Sequence, residues 1–271
     1  VRSPENPVDV DPKCRIVIRG DQEKLKELLR RDSPTASLLG AHVVTQVAAT
    51  MHWPLRSLDA RNAYFQGEPL QRDLFVRPPR GYTLPGVKEG SLIKAARSIY
   101  GSVDGSFQWW STAKKVFCAG GAKVSNVEPA FFFIQAEDGE LLGVLVLHVD
   151  DVLLACDDAR PEVQRFLEHI LSEIEWGEFK DARKGFVFCG REYHQEADWS
   201  VKVSMKNYAK GLTTAQMPRE RRRQDASLLD GREMKTFRGL VGQVAWIGRQ
   251  SSPRLAFRAS RLAKAFKAPT V

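Results

Sequence analysis

The chain has 271 residues, 43% hydrophobic and 27% charged, with a formal charge of +8. That is long and apolar enough for one large domain or two small ones with a buried core, and it excludes global disorder. No apolar run reaches the roughly 18 residues of a membrane span, and no signal peptide is visible. Cys14, Cys118, Cys156 and Cys189 are too scattered for a disulfide framework or a cysteine zinc site, so reduced thiols and a protein that is not secreted are expected. The charge is split: residues 201–271 hold 16 basic and 4 acidic side chains, residues 1–200 hold 25 basic and 29 acidic. A basic end on a mildly acidic body suits a grip on a polyanion, although solvated basic faces are also common. The first residue, Val1, points to a piece of a longer product.

Residues 1–12 are Pro-rich and polar and read as a tail or linker. Lys13 to Arg19 alternates basic and mostly apolar side chains, a strand pattern with one charged face. Residues 22–31 read as a short helix, broken at Asp32-Ser33-Pro34. A second helix is expected over Thr35 to His52 with Leu38, Leu39, Val43, Val47 and Ala48 as its apolar positions. A short strand leads to Asp59, and Tyr64-Phe65 leads to a turn at Gly67. Residues 76–90 read as loop. A helix is expected over Phe107 to Cys118, stopped by Gly120-Gly121. Phe131 to Ile134, a turn at Asp138-Gly139, and Leu141 to Val149 read as strand, turn, strand. Leu141 to Val149, Asp150-Asp151 and Val152 to Ala155 read together as a buried hairpin with the acid pair at its turn. Val163, Phe166, Leu167, Ile170, Leu171 and Ile174 mark an amphipathic helix over 161–176, expected to be scaffold. Residues 186–203 return to strand, and the remainder is helical and basic.

Two adjacent aspartates at the end of apolar strands repel each other in greasy surroundings, and a cation removes that penalty. Carboxylate oxygens are the usual protein ligands of Mg²⁺. Asp59, at the end of its own apolar strand, supplies a third. Three such acids can hold two metals for phosphoryl transfer, and their carboxyl groups are expected to converge. The plain alternative is a polar turn, since Asp favours turns; Asp157-Asp158 are read in that way, as solvated or helix-capping.

Eight segments, KCRIVIRG (13–20), DSPT (32–35), LDARNAYFQG (58–67), SIYGSVDGSFQWW (98–110), VEPAFFF (127–133), LHVDD (147–151), FVFCGREY (186–193) and FRGLVGQVAWIGRQSSPRLAF (237–257), occur in one order, with Asp59 91 residues before Asp150. In these pieces and their order the chain resembles the reverse transcriptase of Ty1/copia-type LTR retrotransposons over about residues 13–266. The resemblance implies an α+β right-hand polymerase fold: an antiparallel palm sheet backed by helices, with fingers and palm in 13–195 and a basic, helical thumb-like part in 196–271. It implies RNA- or DNA-templated DNA synthesis from dNTPs on a primer, with two Mg²⁺ ions (or Mn²⁺) held by Asp59, Asp150 and Asp151. Lys13, Arg15 and Arg19 would touch the incoming triphosphate, and Tyr64 would close over its sugar. His148, in the place of the family's Tyr, and the hairpin Phe188-Cys189-Gly190 would meet the primer. Arg221, Arg222 and Arg223 are the densest basic cluster for the template–primer duplex; their plain alternative is a solvated loop. The remainder of the element's polyprotein would be a partner, no membrane is implied, and the setting would be cytoplasmic, in the element's particle, or nuclear.

The chain departs from the family pattern at His148, at Ser102-Val103-Asp104-Gly105-Ser106-Phe107, where Leu-Lys-Gln-Ala-Pro-Arg is usual, and at Ser252-Pro253-Arg254. These departures fit a working polymerase and also a catalytically impaired, nucleic-acid-binding relic. A structural or interaction protein with no nucleic-acid role is the third class.

Overall fold

The computed structural model describes residues 15–270 apart from positions 25, 80, 82–84, 89, 213 and 225. In chain order the body comprises helix α1 (Leu38–Met51), strand β1 (Leu55–Asp59), a single helical turn α2 (Ala63–Gln66), β2 (Leu74–Val76), β3 (Ile93–Ala95), α3 (Gly105–Ala119), β4 (Ala122–Val124), β5 (Phe131–Gln135), β6 (Leu141–His148), β7 (Asp151–Cys156), α4 (Pro161–Glu173) and β8 (Lys180–Asp181). A six-stranded antiparallel sheet runs in the order β4-β5-β6-β7-β1-β8, and β2 and β3 form a separate pair. Three further antiparallel strands, β9 (Phe186–Phe188), β10 (Arg191–Gln195) and β11 (Val201–Ser204), make a small second sheet.

The continuous apolar run of β6 is explained by burial on both faces of the central sheet. On one face Leu58, Phe132, Leu145, Leu147, Val152 and Leu154 pack with Trp109 and Phe117 of α3 and with Val163, Phe166 and Ile170 of α4. On the other, Leu55, Val144, Val146, Leu153 and Ala155 pack against Ala41, Val44 and Ala48 of α1 and Phe186, Phe188 and Tyr193 of the small sheet. Each such large side chain contributes about 1.5–3 kcal/mol when removed from water. Gln195, buried, ties the two sheets together: its side chain accepts from the Leu55 amide and donates to the Trp53 carbonyl, both at 3.0 Å.

The C-terminal part adds short helices α5 (Lys206–Lys210) and α6 (Arg219–Arg222), then α7 (Gly231–Gln250) and α8 (Pro253–Ala263). α7 opens on a capping box: Asp230 accepts from the Arg232 and Glu233 amides, and Glu233 accepts from the Asp230 amide. α7 and α8 touch so closely that a Cβ on Gly248 would lie 2.4 Å from the Ala256 nitrogen.

Several expectations are corrected. Lys13 lies outside the described residues, and residues 15–19 form no strand. Ile16 and Val17 are 58% and 61% exposed, so the alternation buries neither. The segment is instead held by the Ile18 amide on the Tyr100 carbonyl at 2.8 Å. Gly20 and Gly101 permit this close approach, since a Cβ on either would sit about 2 Å from the other segment's carbonyl oxygens (2.1 and 2.2 Å). The expected helix over 22–31 is reduced to two 3₁₀ turns, Gly20–Gln22 and Lys26–Leu28. Leu28 is 80% exposed and no residue of the Lys26–Leu28 turn is buried, and short helices depend on packing an apolar face. α1 is turned partly away from the face expected: Ala48 is buried and Val47 packs against the core as expected, but Leu39 is 71% exposed and Val43 is also exposed, while Gly40, Ala41, Val44 and Thr45 are inside instead. Small side chains let the helix lie close to the sheet. Ser37 fixes its start by accepting from the Gly40 amide and donating to Glu128. Among the described residues no helix is long and apolar enough to cross a membrane.

Candidate active site

β1 and β7 are neighbours, and their register sets Asp59 opposite Asp151. Directly opposed residues on an antiparallel pair carry their side chains on one face, with Cβ atoms about 4.5–5.5 Å apart. In β6 and β7, His148 is paired with Asp151, which leaves Val149 and Asp150 as a two-residue turn. The three acids therefore sit at one end of three adjacent strands. Each stands where an apolar run stops, because the strands need apolar side chains between two buried faces and charge can appear only at their ends.

Three bonds hold this end. The Ala60 amide donates to the Asp150 carbonyl at 2.8 Å, the Gly177 amide to the Asp59 carbonyl at 2.7 Å, and the Trp109 indole N–H to the Val149 carbonyl at 2.6 Å. Val149 has φ of +56°. Two-residue hairpin turns ordinarily place Gly or Asn at such a position, and a β-branched residue there costs about 1–3 kcal/mol.

Burial, and then the neighbouring charges of Asp150 and Asp59, push the Asp151 carboxyl up to about 6, with Lys180 partly offsetting them. Hard carboxylate oxygens crowded by like charge have the donor chemistry of a divalent-cation site. As they stand, however, no group of three or more His, Cys, Asp and Glu among the described residues forms a cluster that could hold a metal ion.

The remaining candidates fall around this end and beyond it. The Tyr64 ring lies 4.8 Å from that of Tyr100, and its hydroxyl is 2.8 Å from that of Ser106. Arg15 sits over the Tyr100 ring at 4.9 Å. Burial, and next the charge of Asp150, raise the Tyr100 hydroxyl's pKa, so Tyr100 links the acids to Tyr64 and Arg15. Arg19 is exposed and paired with Asp21 at 2.7 Å. The His148 ring meets that of Phe188 edge-on at 6.3 Å, and its buried Nδ1 has no hydrogen-bond partner among the described residues. Phe188 is buried, whereas Cys189 and Gly190 form the β9–β10 turn with φ of +48° and +74°. Burial raises the Cys189 thiol to about 11, which leaves it protonated and inert at neutral pH.

The loop that departs from the family pattern is well tied. Asp104 is buried and accepts from Arg72 at 2.6 Å and from Gln108 at 3.2 Å, and Arg72 also meets Glu23 at 2.6 Å. Asp158, read as solvated or capping, instead receives the Arg56 guanidinium, with Nη1 at 2.6 Å. The triple arginine is not a free cluster. Arg221 binds Glu233 twice at 2.8 Å and also donates to Gln224, Ser227 and the Leu228 carbonyl, and Arg222 donates to the Met217 carbonyl. By contrast Arg254, Arg258 and Arg261 lie exposed along α8, and among the described residues no acid pairs with them.

Sequence reasoning gave no role to Trp109, Tyr100, Ser106 or Arg72. Trp109 carried a usable signal: a tryptophan expected to be buried must find an acceptor for its N–H.

A family model described as reverse transcriptase (RNA-dependent DNA polymerase) matches residues 2–217. Similar curated proteins include the Retrovirus-related Pol polyprotein from transposon RE1 of Arabidopsis thaliana, 23% identical over 274 residues covering 95% of this chain. The corresponding polyprotein from transposon TNT 1-94 of Nicotiana tabacum is 23% identical over 147 residues, 54% of this chain. The polyprotein from transposon RE2 of Arabidopsis thaliana is 23% identical over 95% of this chain. The chain spans 18% of the length of the RE1 and RE2 proteins and 11% of the TNT 1-94 protein.

Proposed function

The chain belongs to the reverse transcriptase (RNA-dependent DNA polymerase) family, as a domain of the Ty1/copia type found in retrotransposon Pol polyproteins, and from that premise we propose that it extends a primer from dNTPs on an RNA or DNA template. The observation that carries this reading is the opposition of Asp59 to Asp151 beside Asp150 at the end of the central sheet. In this proposal that sheet with α3 and α4 is the palm, the segments around Arg15 and Arg72 are fingers, and α7 and α8 are thumb-like.

Asp59, Asp150 and Asp151, not gathered into a metal-ready cluster as they stand, would draw together to hold two divalent cations, Mg²⁺ or Mn²⁺. When bound, such ions supply Lewis-acid activation of the primer 3′-hydroxyl and neutralise charge on the departing pyrophosphate. The chain's own residues do the positioning. Tyr64, held by Ser106 and Tyr100, faces the sugar and excludes a 2′-hydroxyl by bulk. Arg15, with Lys13 and Arg19, supplies positive charge to the triphosphate. His148 and the Phe188-Cys189-Gly190 hairpin border the primer end.

Duplex binding is assigned to Arg254, Arg258 and Arg261, with Arg222 and Arg223 at most auxiliary, because Arg221 is already committed to Glu233. Phosphate contacts position a duplex without reading its sequence. The affinity should fall linearly with salt on logarithmic axes. Reversing the three α8 arginines to Glu should flatten that slope by up to about 3, at roughly 0.9 for each phosphate no longer neutralised. Fluorescence anisotropy at several salt concentrations measures it; an unchanged slope removes α8 from the interface.

Primer extension by the purified chain tests the activity. Asp150→Asn should lower it by at least about 10²-fold, as loss of a group that stabilises transition-state charge does. A second reading, an impaired nucleic-acid-binding relic, is favoured by one observation: the Asp104 carboxylate, where the family has a polar nucleotide-side residue, is taken up by Arg72 and Gln108. Salt-dependent duplex binding without extension would select it.

A further inference from the structure

The β6–β7 turn is an unusual mount for two acids. Its register leaves only Val149 and Asp150 to reverse the chain, and Val149 is held at φ +56°, where its branched Cβ crowds the backbone. A glycine would adopt this conformation freely; a valine stays there only if its surroundings over-determine it. The surroundings do so from two sides. The Asp150 carbonyl is taken by the Ala60 amide at the end of β1, and the Val149 carbonyl by the Trp109 indole at 2.6 Å.

Trp109 is only 1% exposed and packs among Leu58, Leu147 and Val152, the apolar residues next to Asp59, His148 and Asp151 at the ends of the three strands. Its ring is thus fixed by the core, and its N–H is a rigid donor. The helix that carries it, α3, starts directly after Asp104, which is itself held by Arg72 and Gln108. A chain of defined contacts therefore runs from the divergent loop through α3 to the acid turn.

We propose that Trp109 is a positioning residue of the acid centre. Its indole N–H captures the Val149 carbonyl, fixes the plane of the Val149–Asp150 peptide, and so sets the direction in which the adjacent carboxylates project. This inference rests on the reading of Asp59, Asp150 and Asp151 as the metal-holding group. It differs from simple core packing because only the donor atom, not the ring volume, is required.

Two replacements separate donor from volume. Trp109→Phe removes the N–H and part of the ring, while β-(3-benzothienyl)alanine at position 109 keeps the bicyclic shape and exchanges N–H for sulfur. The first readout needs no metal and no activity: the backbone amide resonances of Val149, Asp150 and Asp151 by NMR. Both replacements should shift or broaden these three, with Phe132 and Ile134 on β5 unmoved in the benzothienyl form. The second readout is Mn²⁺, whose paramagnetic broadening should centre on Asp59, Asp150 and Asp151 in the unaltered chain and need about tenfold more metal in the benzothienyl form. Turn resonances that superimpose on those of the unaltered chain in the benzothienyl form would overturn the inference. Absence of Mn²⁺ broadening in the unaltered chain would overturn the metal-centre reading instead, while the turn resonances would still decide whether Trp109 holds the turn.

Discussion

Two carboxylates, one at the acid turn and one at the start of α7, are treated in opposite ways. Asp151 is half-buried beside Asp59 and Asp150, and its pKa is raised to about 6 by burial first and the two like charges second. Glu233 is met by the Arg221 guanidinium and the Asp230 amide, and its pKa is held down to about 2, the Arg221 bond being the larger cause. Where the chain needs a charge only for stability, it supplies a partner. At the acid turn burial and like charge outweigh the partial offset from Lys180 at Asp151, and a strained valine is added. Local features that work against stability are expected at functional sites, where other interactions compensate for them.

The compensation is the core beneath the turn, and the comparison breaks if that core is forgiving. Ile170 is fully buried, and its carbonyl accepts from the Trp176 indole at 2.8 Å. Trp176 in turn bridges Ala60, and Gly177 holds Asp59. Ile170→Ala should therefore destabilise by about 2–5 kcal/mol in denaturant unfolding. A cost below about 0.5 kcal/mol, a surface-like value, would mean that α4 does not support the acids.

A smaller effect of opposite sign is expected at Asp151 itself. Its folded pKa lies above its unfolded value, so the folded state binds the proton more tightly. Stability should then be greatest below about pH 4 and fall as pH rises from there through about 6. Asp151→Asn should raise stability at pH 7 by about 1 kcal/mol, a figure reduced for solvent screening of a half-exposed group, and should remove that pH dependence. Loss of stability in this variant would show that the acid is structurally satisfied.

Glu233 sharpens the contrast. Its folded pKa lies below the unfolded value, so its contribution is present above about pH 4.5 and is lost as pH falls towards 2. Glu233→Gln should lower stability at pH 7 and lessen the acid sensitivity of the C-terminal part, as read by amide exchange along α7. The smallest change is expected at Phe257, exposed on α8, where Phe257→Ala should stay within about 0.5 kcal/mol.

Much of this was legible in the residues. The hairpin of β6 and β7, the strand leading to Asp59 and the 161–173 helix follow from apolar runs and their periodicity, since burial imposes those patterns directly. The face of α1 was only partly legible. Ala48 and Val47 face inward as expected. Leucine at 39 outweighs glycine at 40 and alanine at 41 on any hydropathy count, yet the small residues are the ones that fit against the sheet. The 15–19 segment failed for a similar reason: alternation marks a strand only where a partner strand exists, and this segment finds a single carbonyl at Tyr100.

Sequence alone singled out Asp59, Asp150 and Asp151 as candidate site acids, because a carboxylate at the end of an apolar strand is costly enough to need a reason, and the order of motifs pointed to the family. It also determined that the positive charge gathers after residue 200. Folding sorted those charges, since Arg221 meets Glu233 across a turn while the α8 arginines meet no acid among the described residues. It alone brought the Trp109 indole to Val149 across 40 positions of sequence and Arg72 to Asp104 across 32. Hydrogen bonds and ion pairs depend on ångström distances between residues remote in sequence, whereas burial leaves a periodic record along the chain; the first kind of information exists only after folding.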